Sequence, residues 1–401
     1  MGTLRWGRIA GVGTSLALVP CIVVGARPAA GASAAAGSCP TTSSAALSAR
    51  SFPSSYCAMK LLAPVAAAGS GDIAVLLGSL GPSERAVDLD APDLSQALTD
   101  AGLPYADFIV DDANGVGSEQ VAQAQAAITN GAKVLIVDPV DSATAAAIGK
   151  DAAARGVKVI AYDTFAGSGA SYYVGYGSEA VGKLLGDGLV GCVTSWKVRR
   201  PHVLELTDAN GGTGAAELMK GVDAALQPLL ASGRYTKSGD LTVPSGDTAA
   251  AAVARALHSH PGINAVLVTD DSLSTAVVAD LKAAGVPARH VAVAGQGATT
   301  QSLVDILEGY QCMAAYEPVS AEAQAAAAVA LYLRAGRPVP RGLINATTTG
   351  VGSSHAPSVL LTPEAVTARN IAATVAGGDV SADQLCSGSL AAICRKAGIT
   401  P

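Results

Sequence analysis

Aromatic side chains are scarce in this sequence, with three Phe and two Trp among 401 residues. Single-stranded nucleic acid is gripped by aromatic stacking along a basic groove. Here charged residues are 14% of the chain and the formal net charge is −6, so no basic patch points to a nucleic acid. Histidine is equally thin, at five residues. His258, His260 and His290 sit near expected surface turns, and His355 sits in a Gly/Ser loop where exposure is expected. There is no H-E-x-x-H pair and no G-x-S-x-G elbow, the arrangements that would mark a zinc protease or a serine hydrolase. None of the seven Cys has the C-x-x-C spacing of a zinc site. These absences point away from an enzyme, and neither a metal nor a cofactor is expected.

Half the residues are apolar, and at roughly 150 residues per domain the length suits about two domains. The first residues read as an export signal: Arg5 and Arg8 precede an uncharged stretch from Ile9 to Gly25, and Ala32-Ser33-Ala34 offers a cleavage point. A span of residues 1–34 as signal, and 35–71 as an Ala/Ser/Pro-rich flexible leader, is expected. An uncleaved anchor and a lipid anchor remain alternatives, although Ala36-Gly37-Ser38-Cys39 is a poor lipidation site. The protein is therefore expected outside the cytoplasm, periplasmic or associated with the cell surface. If Cys21 leaves with the signal, six Cys remain, an even number that suggests disulfides in an exported chain. Cys386 and Cys394 flank a short segment and are the first pair expected, followed by Cys192 with Cys312 and Cys39 with Cys57.

The segment from Gly131 to Phe165 is the most informative. Two β-branched runs bracket an alanine-rich stretch of helical length, a βαβ unit that imposes a parallel sheet and a right-handed crossover. Each run ends in carboxylates: Asp138 and Asp141 after the first, Asp163 after the second. Ligands of open α/β sheets bind beyond the carboxyl ends of the strands, whereas Asp also caps helices. Asp138, which precedes a proline, reads as structural, and Asp141 and Asp163 are open to both readings. Strand and helix patterns alternate from Ile73 to Tyr316, restarting at Val203, so the expected fold class is α/β with two Rossmann-like lobes. A long helix follows at Ser320–Ala335, and then an irregular tail.

Three glycine motifs imitate nucleotide sites. Gly177 to Lys183 nearly forms a P-loop, but Leu184 stands where a hydroxyl must hold Mg²⁺. The run Gly186-Asp-Gly188-Leu-Val-Gly191 lies in a helical pattern rather than at a strand-to-helix turn. Asn210-Gly-Gly-Thr-Gly214 does join a strand to a helix, but no acidic residue follows at ribose-reading distance. Asp88, Asp90 and Asp93 read as a solvated approach to a helix rather than a cation loop.

The phrases DDANGVGSEQ (111–120), GAKVLIVDPVDS (131–142), GVKVIAYD (156–163), MAAYEP (313–318) and PSVLLTPEAVTARNI (357–371) resemble the type I periplasmic sugar-binding proteins, in particular their D-xylose-binding branch. LCSGSLAAICRKAGI (385–399) is similar to the two-cysteine tail of some members. The resemblance implies two lobes joined by three crossings, near Gly175, near Glu317–Pro318 and near Ile344–Thr347. Lobe one would comprise residues 72–174 and 318–345, and lobe two residues 175–317 and 346–401. It also implies a monomeric solute-binding protein of an ABC importer, closing on a small ligand and meeting a membrane permease. A sensory module of the same fold, a diverged non-sugar binder and a transcriptional regulator are the rivals; the last lacks an N-terminal DNA-binding helix pair.

Carried over residue by residue, the family's binding set is largely replaced. Its first Arg matches Arg85, but the neighbouring aromatic is Ala86. Its Asp-Arg pair becomes Asp163-Thr164, with Phe165 next, and the Asp-Asn of the first crossing becomes Gly177-Ser178. Paired Asn become Thr213-Gly214, near Asp208 and Asn210, and a Trp becomes Thr242. Asn-Asp becomes Asp270-Asp271, the Asp after Gln296 is Gly297, and the hinge Lys is Glu317. With Asp141 and Tyr316, these give an acidic candidate cleft opposed by Arg85. Ionised carboxylates accept hydrogen bonds without donating, so the expected ligand is a neutral or cationic sugar, polyol or amino sugar rather than a sugar phosphate or uronic acid.

Overall fold

The computed structural model describes residues 43–78, 85–167, 169–209, 214–243, 249–260, 262–350 and 354–400. The expected signal, residues 1–34, lies outside them, as do Asn210 and Thr213.

Thirteen strands among these residues form two sheets. β1 (Asp72–Leu77), β2 (Phe108–Asp112), β3 (Ala132–Val137), β4 (Lys158–Tyr162) and β5 (Tyr172–Tyr176) open the first. β6 (His202–Asp208), β7 (Thr236–Val243), β8 (Ala265–Val268), β9 (Ala292–Gln296) and β10 (Met313–Tyr316) open the second. β11 (Ala346–Thr349) and β12 (His355–Leu361) return to the first, and β13 (Glu364–Val366) to the second. Strand order is β11-β12-β5-β4-β3-β1-β2 in one sheet and β13-β10-β9-β8-β6-β7 in the other. All pairings are parallel except β11 with β12 and β10 with β13. Helices cover both faces of parallel sheets, so such strands read as continuous apolar runs; β3, β8 and β10 are buried accordingly. In each sheet the order reverses, at β1/β3 and at β6/β8. At the first reversal Gln120, itself buried, donates to Leu76 O and Asp138 O and accepts from Val140 N. It stitches together the carboxyl ends of two strands that diverge there.

The third crossing departs from expectation. β11 and β12 pair within the first sheet, with Ser358 opposite Tyr173, so the chain passes to the second sheet between Leu361 and Glu364, not near Ile344–Thr347. The tail is not irregular: it supplies three strands and the helices Ile371–Ala376, Ala382–Leu385 and Ala391–Ala397. The strands were illegible because an edge strand such as β11, with alternate residues exposed, lacks the apolar run of the central ones.

The leader is corrected as well. Residues 43–71 are docked, with Leu47, Phe52, Met59, Leu62 and Val65 buried in one cluster with the helix Val319–Arg334. Gln324 Nε2 donates to Pro53 O at 2.8 Å, and Arg334 donates to Ala66 O at 2.9 Å and Gly71 O at 2.6 Å. Side chains on one buried helix thus satisfy the backbone carbonyls of a segment with no sheet or long helix of its own. That helix is Ala-rich because it lies between this segment and the first sheet, with nearly every residue buried.

The glycine motifs serve packing. A Cβ at Gly182 would meet Leu218 O at 1.8 Å, and one at Gly221 would meet Glu179 O at 2.0 Å. The helices Ser178–Ser195 and Gly214–Ala231 therefore touch backbone to backbone, which any side chain there would prevent. Disulfides Cys192–Cys312 and Cys386–Cys394 are formed, with Cα–Cα distances of 5.8 and 5.7 Å. Cys57 is disulfide-bonded too, and Cys39 lies outside the described residues.

Candidate functional site

Beyond the carboxyl ends of β8, β9 and β10 lies a cleft of about 870 Å³. Residues 269–271, 296–301 and 316–317 form its second-lobe side, and Arg85, Asp88 and Leu89 close it from the first lobe. Asp379, Val380 and Gln384 of the tail complete the wall. A helical turn from Arg85 to Asp90 leads into the helix Ala91–Asp100 and carries Arg85 to the cleft.

Arg85 is enclosed by carboxylates. Its Nη2 donates to Glu322 Oε2 at 2.8 Å and to Asp163 Oδ1 at 3.0 Å, and its Nε donates to Asp90 Oδ2 at 3.2 Å. Tyr162 Oη donates to the other Asp90 oxygen at 2.6 Å. Asp163 has φ +57°, an uncommon conformation for a residue with a side chain. It is fixed by its own N–H on Val174 O and by Tyr173 Oη donating to its carbonyl. That backbone turn delivers the Asp163 carboxylate to Arg85.

This concentration of acid shifts protonation. Burial pushes Asp138 up to about 8, with the Asp163 charge adding to it, and burial pushes Glu317 up to about 7. Glu322, wholly buried, is held well above the usual carboxylate range by desolvation and then by Asp163. Asp90 is raised by burial while Arg85 opposes the shift. Burial would lower Arg85, but Asp163, Asp90 and Glu322 together hold it well above its ordinary value.

The second-lobe side differs. Gln296 Nε2 donates to Glu317 Oε1 at 2.9 Å, and Ser302 Oγ donates to Asp271 Oδ1. Asp270 caps the helix Asp271–Ala283, accepting from Leu273 N at 3.1 Å. Asp379 accepts from Tyr316 Oη and from Val319 N, so one carboxylate spans the crossing from β10 into the next helix.

Of the candidates, Arg85, Asp270, Gln296, Tyr316 and Glu317 line the cleft. Asp163 stands behind Arg85. Asp141 does not line it: its carboxylate caps the helix Ser142–Ala154, accepting from Thr144 N at 2.7 Å. Phe165 packs on Tyr173 with ring centroids 5.2 Å apart, away from the cleft wall, which leaves Tyr316 as the aromatic in it among the described residues. Asp208 ends β6, where its N–H meets Thr269 Oγ1 at 3.1 Å, and it is not a lining residue. Asp90 and Asp93 are not solvated as expected: Asp90 is buried and ion-paired, and burial pushes Asp93 up to about 6. Asp379 and Glu322 were missed. Neither follows a first-rank strand, and only the return of the tail and of the helix Val319–Arg334 brings them here.

The family model described as a periplasmic binding protein domain matches residues 94–338. The chain belongs to that family. Among curated members, the D-xylose-binding periplasmic protein of Haemophilus influenzae is 30% identical over 275 residues, 67% of this chain and 80% of that protein. The multiple sugar-binding periplasmic receptor ChvE of Rhizobium radiobacter is 27% identical across 81% of this chain and 95% of its own length. In fold the chain is similar to an ABC transporter solute binding protein from Clostridium phytofermentans with bound β-D-glucose (TM-score 0.66, 22% identity, 78% of this chain and 99% of that one). It is also similar to a Caulobacter myo-inositol binding protein (TM-score 0.60, 22% identity, 77% and 97%). The two-lobed α/β architecture is thus the family's. These relatives are binding proteins and not enzymes. No helix among the described residues is long and apolar enough to cross a membrane.

Proposed function

We propose that this chain is the extracytoplasmic solute-binding component of a sugar-type ABC importer, capturing a small polyhydroxylated ligand in the cleft and presenting it to a membrane permease. The observation that carries this reading is the cleft itself. Its volume of about 870 Å³ lies in the range of small-molecule sites, and it opens at the strand ends where α/β sheets bind ligands. Glu317, Asp271 and Gln296 offer acceptors and an amide to hydroxyl groups, and Tyr316 offers one ring. The expected export signal, and the six cysteines that would remain after its removal, support an extracytoplasmic setting. Relatives named for D-xylose and for multiple sugars support the ligand class.

A thermal-shift screen of pentoses, hexoses, polyols and amino sugars tests it. Ligand at a hundred times its Kd adds about 2.7 kcal/mol to stability, so one member of the panel is expected to raise the unfolding midpoint by several degrees. A panel without any shift at millimolar ligand overturns the proposal.

A further inference from the structure

We infer that the cleft takes an amine-bearing polyol, an amino sugar or an aminocyclitol, with its ammonium group seated between Glu317 and Asp271. The inference rests on the cleft being a site for polyhydroxylated ligands and adds the charge of the ligand. Its basis is an imbalance of charge among the described residues. The lining side chains include five carboxylates, those of Asp88, Asp270, Asp271, Glu317 and Asp379, and one cation, Arg85. Arg85 is already committed: it lies within 3.2 Å of Asp90, Asp163 and Glu322, three carboxylates for one guanidinium. Segments 79–84, 210–213, 244–248 and 351–353, outside the described residues, contain no Lys, Arg or His. No cation from those segments can neutralise the cleft.

Position narrows the acceptors. Asp270 is used as a helix cap, and Asp379 bonds Tyr316 Oη and Val319 N. Asp271 accepts from the Ser302 and Thr299 side chains, and Glu317 from Gln296 Nε2. An ionised carboxylate has about four lone-pair sites, so both keep capacity toward the cleft. They follow β8 and β10, the strands on either side of β9, which ends at Gln296. Neighbouring strands lie about 4.8 Å apart, so an ammonium over Gln296 reaches both sides. A low-dielectric cleft of one sign focuses its field on a counter-ion. An ammonium there favours the ionised form of both carboxylates, whereas a neutral sugar supplies no counter-charge and a uronic acid is repelled.

Calorimetry on the exported form at low ionic strength tests this with matched probes: D-glucose against D-glucosamine, and myo-inositol against scyllo-inosamine. N-acetyl-D-glucosamine and D-glucuronate serve as uncharged and anionic controls. The expected result is at least tenfold tighter binding of one amine than of its hydroxyl counterpart, lost on N-acetylation and lost in the Glu317→Gln/Asp271→Asn protein. In the unaltered protein, added salt should erode the amine's advantage and leave neutral-sugar affinity in place. Neutral sugars binding as tightly as their amines, or an advantage insensitive to salt, overturns this inference and leaves the proposed function intact. Binding by no probe of either kind overturns both.

Discussion

The two sides of the cleft are held by different forces. The first-lobe side is organised by ion pairs: Arg85 gathers Asp90, Asp163 and Glu322, and the last of these is wholly buried. The second-lobe side is organised by covalent bonds and caps. Cys192–Cys312 ties the helix Ser178–Ser195 to the residue before β10, and Cys386–Cys394 staples the tail that provides Asp379. A side built on ion pairs depends on its one cation, because its carboxylates are desolvated against it. A side built on disulfides answers to reductant. The first presents a charge already committed within the protein, whereas the second presents carboxylates still able to accept, so the second is the side we propose to select the ligand.

Breaking the disulfides gives the largest effect. Cys192–Cys312 closes a sequence separation of 120 residues, and Cys386–Cys394 one of 8. Loop entropy assigns about 5 kcal/mol to the first and about 2.5 kcal/mol to the second. Denaturant unfolding of Cys192→Ala/Cys312→Ala and Cys386→Ala/Cys394→Ala is expected to rank them in that order. The second pair, though cheaper to lose, is expected to weaken ligand binding more, because it anchors a wall of the cleft. Equal losses, or unchanged affinity in the tail variant, would undo this part of the comparison.

Arg85→Ala comes next. It leaves Glu322 and Asp90 buried without their cation, and removing one partner of a buried ion pair costs about 3 kcal/mol. The deficit should shrink on acidification, as the stranded carboxylates take up protons. A deficit that stays constant between pH 8 and pH 5 would show that packing, not charge, was lost.

The smallest effect is the pH dependence of the unaltered protein. Glu317 is raised to about 7 and Asp138 to about 8, above the ordinary carboxylate range near 4. The folded state therefore holds protons that the unfolded chain releases, and stability falls as pH rises. That contribution is full below about pH 4 and is lost through pH 7 to 8. Melting midpoints are expected to drop by a few degrees between pH 5 and pH 8.5, and Glu317→Gln should flatten part of the slope. A midpoint that rises over this interval would reverse the assignment.

The parallel core was legible in the sequence because a strand buried on both faces must be an apolar run, and such runs at βαβ spacing allow few topologies. Tyr172–Tyr176 and Met313–Tyr316 could be bounded to the residue for this reason. Arg85, Gln296 and Glu317 were legible as cleft residues through the family resemblance, whose binding positions they occupy. The edges and ends were not. β7 (TKSGDLTV) and β11 (ATTT) carry few apolar residues, and residues 43–71 bury side chains at irregular intervals, so neither region shows an apolar period to detect. Asp141 could not be separated from Asp163 either, since both follow β-strands and only the chain's path decides which one caps a helix.

Local chemistry by itself determined the α/β alternation, the acidic balance and the pairing of Cys386 with Cys394 across a short segment. Tertiary structure alone decided which acids matter. Glu322 on a helix 237 positions from Arg85 reaches that guanidinium, and Asp379 in a tail 63 positions from Tyr316 reaches the cleft, only because the chain crosses between the lobes again. Charge acts through space and burial, and a sequence fixes neither until it is folded.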